Sequence, residues 1–143
     1  MAHHGWFARA GNGLGVWLYR RFDGRLSSSG KDVHVLLLTV PGRRSGLPRS
    51  VCVRYLEAAG GLVVWGTGSG SRRDPDWFEN LRRVEVAEVQ VGARAFRVAP
   101  RELVGSEHGE VWQGVILAQA PEVARYAERA GRVIPVAVLV AAA

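Results

Sequence analysis

Val33-His34-Val35-Leu36-Leu37-Leu38-Thr39-Val40, followed by Pro41-Gly42-Arg43-Arg44-Ser45-Gly46-Leu47-Pro48 and Arg49-Ser50-Val51-Cys52-Val53-Arg54-Tyr55-Leu56, is the stretch that decides the fold. Val33–Val40 is apolar, broken by His34, and reads as a buried strand. The middle segment is rich in Pro and Gly and reads as a turn. In the last segment Val51, Val53 and Tyr55 share one face, with Ser50, Cys52 and Arg54 on the other. That period of two belongs to a half-buried strand.

Downstream the same punctuation repeats. Ala58–Gly61 is a turn, Leu62–Trp65 a short apolar strand and Gly66–Arg73 a glycine-rich polar loop. Asp74-Pro75 opens a helix, with Asp as N-cap and Pro at the first helical position. This helix carries Trp77, Phe78 and Leu81 and ends near Arg82-Arg83. Val84–Val91 and Arg94–Val98 read as strands around a Gly92-Ala93 turn. Ser106 is placed to cap a helix to about Gln119, Pro121 starts a second to Ala130, and Gly131 ends it before a last strand, Val133–Val140. Upstream, Leu26–Asp32 reads as a polar loop, and Trp6, Phe7, Ala10, Leu14, Trp17, Leu18 and Phe22 recur at helical steps over 5–22. Short strands joined by tight turns imply an α+β fold built on a small, partly closed antiparallel barrel with flanking helices. The strands do not alternate regularly with helices, which argues against a doubly wound parallel sheet. All 143 residues are expected to form one domain, with an N-terminal helical segment over 1–25 and a barrel core over 33–140.

Composition narrows the function. The single Cys52 leaves no intrachain disulfide and no multi-cysteine zinc site, and His3, His4, His34 and His108 are scattered. No apolar run approaches the roughly 20 residues that span a bilayer, and nothing at the start reads as a signal peptide. A soluble, cytoplasmic protein is expected, with the Trp-bearing, basic N-terminal segment as a candidate peripheral membrane contact. Of the 19 basic residues only Lys31 is lysine, and the net charge is +6. Arginine grips phosphates and carboxylates with paired hydrogen bonds, so an anionic partner is expected. No nucleic-acid-binding motif accompanies the arginines, which ranks nucleic acid last among such partners.

Three constellations stand out. Arg43, Arg44 and Arg49 lie around a turn flanked by Gly42 and Gly46, a setting suited to a phosphate or carboxylate. Trp65-Gly66-Thr67-Gly68-Ser69-Gly70-Ser71 alternates glycine with hydroxyls after a strand, where backbone can approach an anion or a flat ring. It lacks the lysine of a P-loop and the long helix of a dinucleotide fingerprint. In Asp74–Leu81, Trp77 and Asn80 are three residues apart, an aromatic beside an amide suited to a polar heterocycle. No catalytic triad is evident, so an enzyme here would rely on a cofactor.

In order, Leu36-Leu37-Leu38-Thr39-x-x-Gly42-Arg43-Arg44-Ser45-Gly46-x-Pro48-Arg49, the Ser/Gly loop, Pro75-Asp76-Trp77-Phe78-Glu79-Asn80-Leu81, and Tyr126 ahead of Arg132-Val133-Ile134-Pro135 resemble the deazaflavin (F420)-dependent nitroreductase family. The resemblance spans roughly residues 20–140. It implies a split β-barrel of the FMN-binding type that binds reduced coenzyme F420, with FMN as the competing cofactor. It also implies that Arg43, Arg44, Ser45, Arg49, Ser50 and Val51 hold the coenzyme's phosphate and oligoglutamate tail. Trp65, Gly66, Thr67, Gly68, Ser69 and Gly70 would lie against the deazaflavin, with Trp77 and Asn80 completing that wall. The implied reaction is hydride transfer to a small electrophilic acceptor, a quinone, nitro or enone compound, with Tyr126 as candidate proton donor. A non-catalytic flavin or deazaflavin carrier is the alternative. The chain departs from the pattern at Gly68, which removes a possible tail contact, and at Ala120 and Val123, where the best-known nitroreductase of the group presents tyrosines. The last two changes argue against bulky nitroaromatic acceptors and put quinones or other small acceptors level with them.

Overall fold

The computed structural model describes residues 25–28 and 31–142. The helix expected over 5–22 lies outside them. The decisive stretch folds as read. Strand β2 (Lys31–Pro41) turns back into β3 (Pro48–Arg54), and the two pair antiparallel from Val35↔Arg54 to Pro41↔Pro48. The chain continues through β4 (Leu56–Ala58), β5 (Gly61–Trp65), helix α1 (Asp76–Leu81), β6 (Ala87–Val91) and β7 (Arg94–Leu103). Helix α2 (Gly105–Val111) runs through a wider π turn at Trp112–Ile116 into α3 (Leu117–Gln119). Helix α4 (Val123–Ala130) and β8 (Val136–Ala141) complete the order, and β1 (Arg25–Ser28) precedes it.

All strand pairs are antiparallel, in the order β1-β2-β6-β7-β8-β5-β4, with β3 also on β2. The sheet curls into the split barrel expected. Period-two alternation divides the strands between two apolar layers. Leu36, Leu38, Val64, Val89, Val98 and Leu139 point into the barrel, where Phe78 and Leu81 of α1 plug it. Val63, Trp65, Val136 and Val138 point the other way, onto Val111, Ile116, Val123 and Ala130 of the helical layer.

Several boundaries differ from the sequence reading. The polar loop expected over Leu26–Asp32 is part of a hairpin, because Arg25–Ser28 pairs with Lys31–His34. Backbone pairing needs no apolar side chain, so polarity hid it. Strand β7 runs five residues past Val98, through Pro100, to pair with β8. Strand β8 starts at Val136, leaving Val133 exposed before it. Ser106 does not cap α2, which starts at Gly105 with no side-chain cap. No helix among the described residues is long and apolar enough to cross a membrane.

Candidate active site: a basic pocket beside a clamped glycine loop

The turn between β2 and β3 is closed by backbone. Gly42 N–H donates to Leu47 O and Gly46 N–H to Gly42 O, each at 2.8 Å. Gly46 supplies the left-handed φ of +73° that closure needs. Gly42 is bare for a different reason. A Cβ there would stand 3.1 Å from both Arg49 Nε and Ser45 Oγ.

Helix α1 pins this turn. Asn80 is 4 % exposed. Its Oδ1 accepts from the Arg43 backbone N–H at 3.0 Å and from Arg43 Nη1 at 2.9 Å. Arg43 Nη2 meets Asp76 Oδ1 at 3.0 Å, and Nη1 donates to the Asp76 carbonyl at 3.4 Å. Turn and helix together line a pocket of about 260 Å3 holding Arg43, Arg44, Ser45, Arg49, Asp76 and Asn80. Arg43 is committed to α1. The side chains of Arg44 and Arg49 make no hydrogen bond or ion pair among the described residues and stand exposed at the pocket. The hydrogen bond from Arg43, reinforced by its charge, holds the Asp76 carboxyl below the usual carboxylate range. The pair therefore persists above that range and opens as pH falls through the lowered value.

The glycine loop is a second preformed feature. Gly68, Ser69 and Gly70 have φ of 56°, 57° and 88°, three left-handed residues in a row. Arg132 holds them. Its Nε donates to Ser71 O at 3.0 Å. Its Nη2 reaches Gly66 O and Thr67 O at 3.1 Å and Arg73 O at 2.9 Å, and its Nη1 reaches Asp74 Oδ1 at 2.7 Å. Gly66 is wedged where a Cβ would come within 3.0 Å of Pro75 and 3.2 Å of Pro135.

Asp74 is thus a strut and not the N-cap read from sequence. Its other oxygen takes Arg82 Nη1 at 2.8 Å, and α1 starts one residue later than expected, at Asp76, with no side-chain cap. Arg82 also pairs with Glu79 and Glu102 and lies over the Phe78 ring at 4.8 Å. Its guanidinium is held protonated, first by the Glu102 hydrogen bond.

The structure gathers Arg43, Arg44, Ser45, Arg49 and Asn80 from two separate motifs into one pocket. Other candidates fall elsewhere. Ser50 and Arg49 are adjacent on a strand and face opposite ways, and Ser50 Oγ pairs with Thr39 Oγ1 at 2.8 Å. Val51 packs against the barrel interior. Trp65 is buried in the helical layer, with the Arg54 guanidinium 5.7 Å from its ring. Trp77 is half-buried against the interior, 5.3 Å from the Phe78 ring. Tyr126 is exposed on α4, where Arg129 stacks on its ring at 5.8 Å and fills the space over Gly70. Helix α4 thus packs on the glycine loop through Arg129. Ala120 and Val123 are buried beneath the helices, so in this chain those positions belong to the core.

Two residues carry structural weight that sequence reading did not assign. Asp76 is the carboxylate in an otherwise cationic pocket, and Arg132 is the clamp of the glycine loop. The only sequence signal was their place inside the third and last motifs.

The profile of the family described as F420H(2)-dependent quinone reductase matches residues 13–141. An F420H(2)-dependent quinone reductase of Mycobacterium tuberculosis is 29% identical over 126 residues, covering 85% of this chain and 84% of that protein. A solved F420-H2 dependent reductase, FDR-A, superimposes with a TM-score of 0.63 at 28% identity, over 73% of this chain and 92% of its own. A solved domain-swapped dimer superimposes with a TM-score of 0.64, also at 28% identity, over 73% of this chain and 78% of its own.

Proposed function

The chain belongs to the F420H(2)-dependent quinone reductase family, oxidoreductases whose cofactor is coenzyme F420, and from that premise we propose that it reduces a quinone, with the basic pocket holding the coenzyme's anionic tail. The observation that carries the reading is the division of labour among three arginines. Arg43 is tied to Asn80 and Asp76, while Arg44 and Arg49 face the pocket with their donors uncommitted among the described residues. The donor set fits a polyanion. The Arg44 and Arg49 guanidiniums and the Ser45 hydroxyl line the same pocket, and the bare Gly42 lets Arg49 Nε and Ser45 Oγ pack close over the turn.

When bound, the reduced coenzyme supplies the hydride. The chain's own part is placement. The basic turn anchors the anionic end, and Arg132 fixes the glycine loop as a rigid backbone edge against which a flat ring can lie. A quinone that accepts a hydride still needs one proton to become a hydroquinone. Tyr126 Oη, exposed on α4, the helix packed on the loop, is the group assigned to deliver it.

The test is titration with coenzyme F420, and separately with FMN, followed by tryptophan fluorescence. Arg44→Ala and Arg49→Ala should each weaken F420 binding by about tenfold, the scale of one charge-assisted hydrogen bond. Wild-type affinity in both variants would remove the tail from this pocket. With quinone and nitroaromatic acceptors compared under the same conditions, turnover should favour the quinone. Tyr126→Phe should slow it while leaving coenzyme affinity unchanged.

A further inference from the structure

The pocket assigned to the coenzyme tail contains its own anion. Asp76 stands among Arg43, Arg44 and Arg49 at the start of α1. Its side chain is 78% exposed, whereas that of Arg43, its partner at 3.0 Å, is 17% exposed. The pair is lopsided. Arg43 is held from behind by Asn80, whose Oδ1 takes both its backbone N–H and its Nη1. Asp76 holds only the outward Nη2 through its side chain, and it does so from solvent. Losing Asp76 therefore leaves Arg43 in place with its outer donor free. An arriving phosphate or carboxylate oxygen has the same charge and acceptor geometry as the Asp76 carboxylate.

We propose that Asp76 is a displaceable counter-ion, occupying Arg43 in the free protein and yielding that guanidinium to an anionic group of the coenzyme. Binding then exchanges one ion pair for another. The third arginine joins the ligand only at the cost of breaking an existing contact, so Asp76 sets affinity and release rate without touching the reacting atoms. The inference rests on the reading of the basic pocket as the tail site. No covalent step is involved.

The experiment is a fluorescence titration of the full chain with coenzyme F420, paired with stopped-flow dissociation. Asp76→Asn should bind about two- to fivefold tighter, the range of an exposed ion pair, and release the coenzyme correspondingly more slowly. The same substitution in an Arg43→Met background should bring no gain. A gain that survives there would mean that Asp76 merely repels the tail, and would overturn the exchange. Unchanged affinity in Asp76→Asn would show that Arg43 never turns to the ligand. Weaker binding would make Asp76 a strut. Either result also overturns the proposal. Arg49→Ala keeps the two readings apart. If it and Arg44→Ala both leave affinity intact, the pocket is not the tail site, whatever Asp76→Asn does. Coenzyme stripped of its glutamates separates the sources of the anion. A gain confined to the full-length tail assigns Arg43 to a carboxylate, and an equal gain in both assigns it to the phosphate.

Discussion

Arg132 illustrates what one side chain can fix. All three of its nitrogens donate, to four backbone carbonyls and to Asp74. The segment it holds has three successive residues at positive φ, one of them Ser69, a conformation that disfavours a Cβ. Without the clamp these carbonyls lose partners that a neutral residue cannot replace. Arg132→Ala is expected to destabilise the protein by about 2–4 kcal/mol, measured by urea unfolding. Arg132→Lys should recover little, because an ammonium lacks the planar fork that spans Gly66, Arg73 and Asp74 together. Full recovery by lysine would reduce the role to charge alone. The same planarity explains why Arg43, Arg44 and Arg49 serve a pocket that a lysine-rich turn would serve less specifically.

At the scale of elements, glycines separate positions of close approach from positions of mere tolerance. Gly61 opens β5 where it lies against β8, and a Cβ there would sit 2.4 Å from the Leu139 carbonyl oxygen. Backbone cannot yield as a flexible side chain does. Gly61→Ala should destabilise by about 1–3 kcal/mol. Gly109 lies inside α2 with nothing within 4 Å of a built Cβ and no positive φ. Gly109→Ala should stabilise by about 0.5–1 kcal/mol through helix propensity. Opposite shifts in thermal midpoint for the two variants check both statements in one instrument. Sequence reading saw Gly60 and Gly61 as one turn. Only the pairing of β5 with β8 makes Gly61 irreplaceable, and the partner strand lies more than seventy residues away.

For the whole molecule, β8 is the joint between two apolar layers. It pairs with β7 on one side and β5 on the other. Ala137 and Leu139 face the barrel interior, while Val136 and Val138 face the helices. A strand shared in this way couples the layers. Leu139→Ala in the barrel and Ile116→Ala under the helices should each cost about 2–5 kcal/mol. Each variant should keep a single unfolding transition, coincident by tryptophan fluorescence and circular dichroism. Two separated transitions would mean that the helical layer folds apart from the barrel, against the single domain expected for the chain.

The strands, their alternation and the turn chemistry of Pro41–Pro48 were legible in the sequence because they depend on neighbours one to four residues apart. A period of two puts Val51 and Val53 on one face whatever the rest of the chain does, and Gly46 permits a left-handed turn by itself. The arginine-rich turn and the Asp76–Leu81 helix were legible as separate motifs for the same reason. Their meeting was not. Arg43 and Asn80 are brought together because Phe78 and Leu81 on the same helix plug the barrel and fix its position against the β2–β3 turn. Side-chain direction was likewise decided by packing. Trp65 went to the helical layer, Asp74 was claimed by Arg82 and Arg132, and Arg43 was taken by α1 while Arg44 and Arg49 were left facing the pocket. Local chemistry sets what each residue can bind, and the burial of distant apolar faces decides which partner comes within reach.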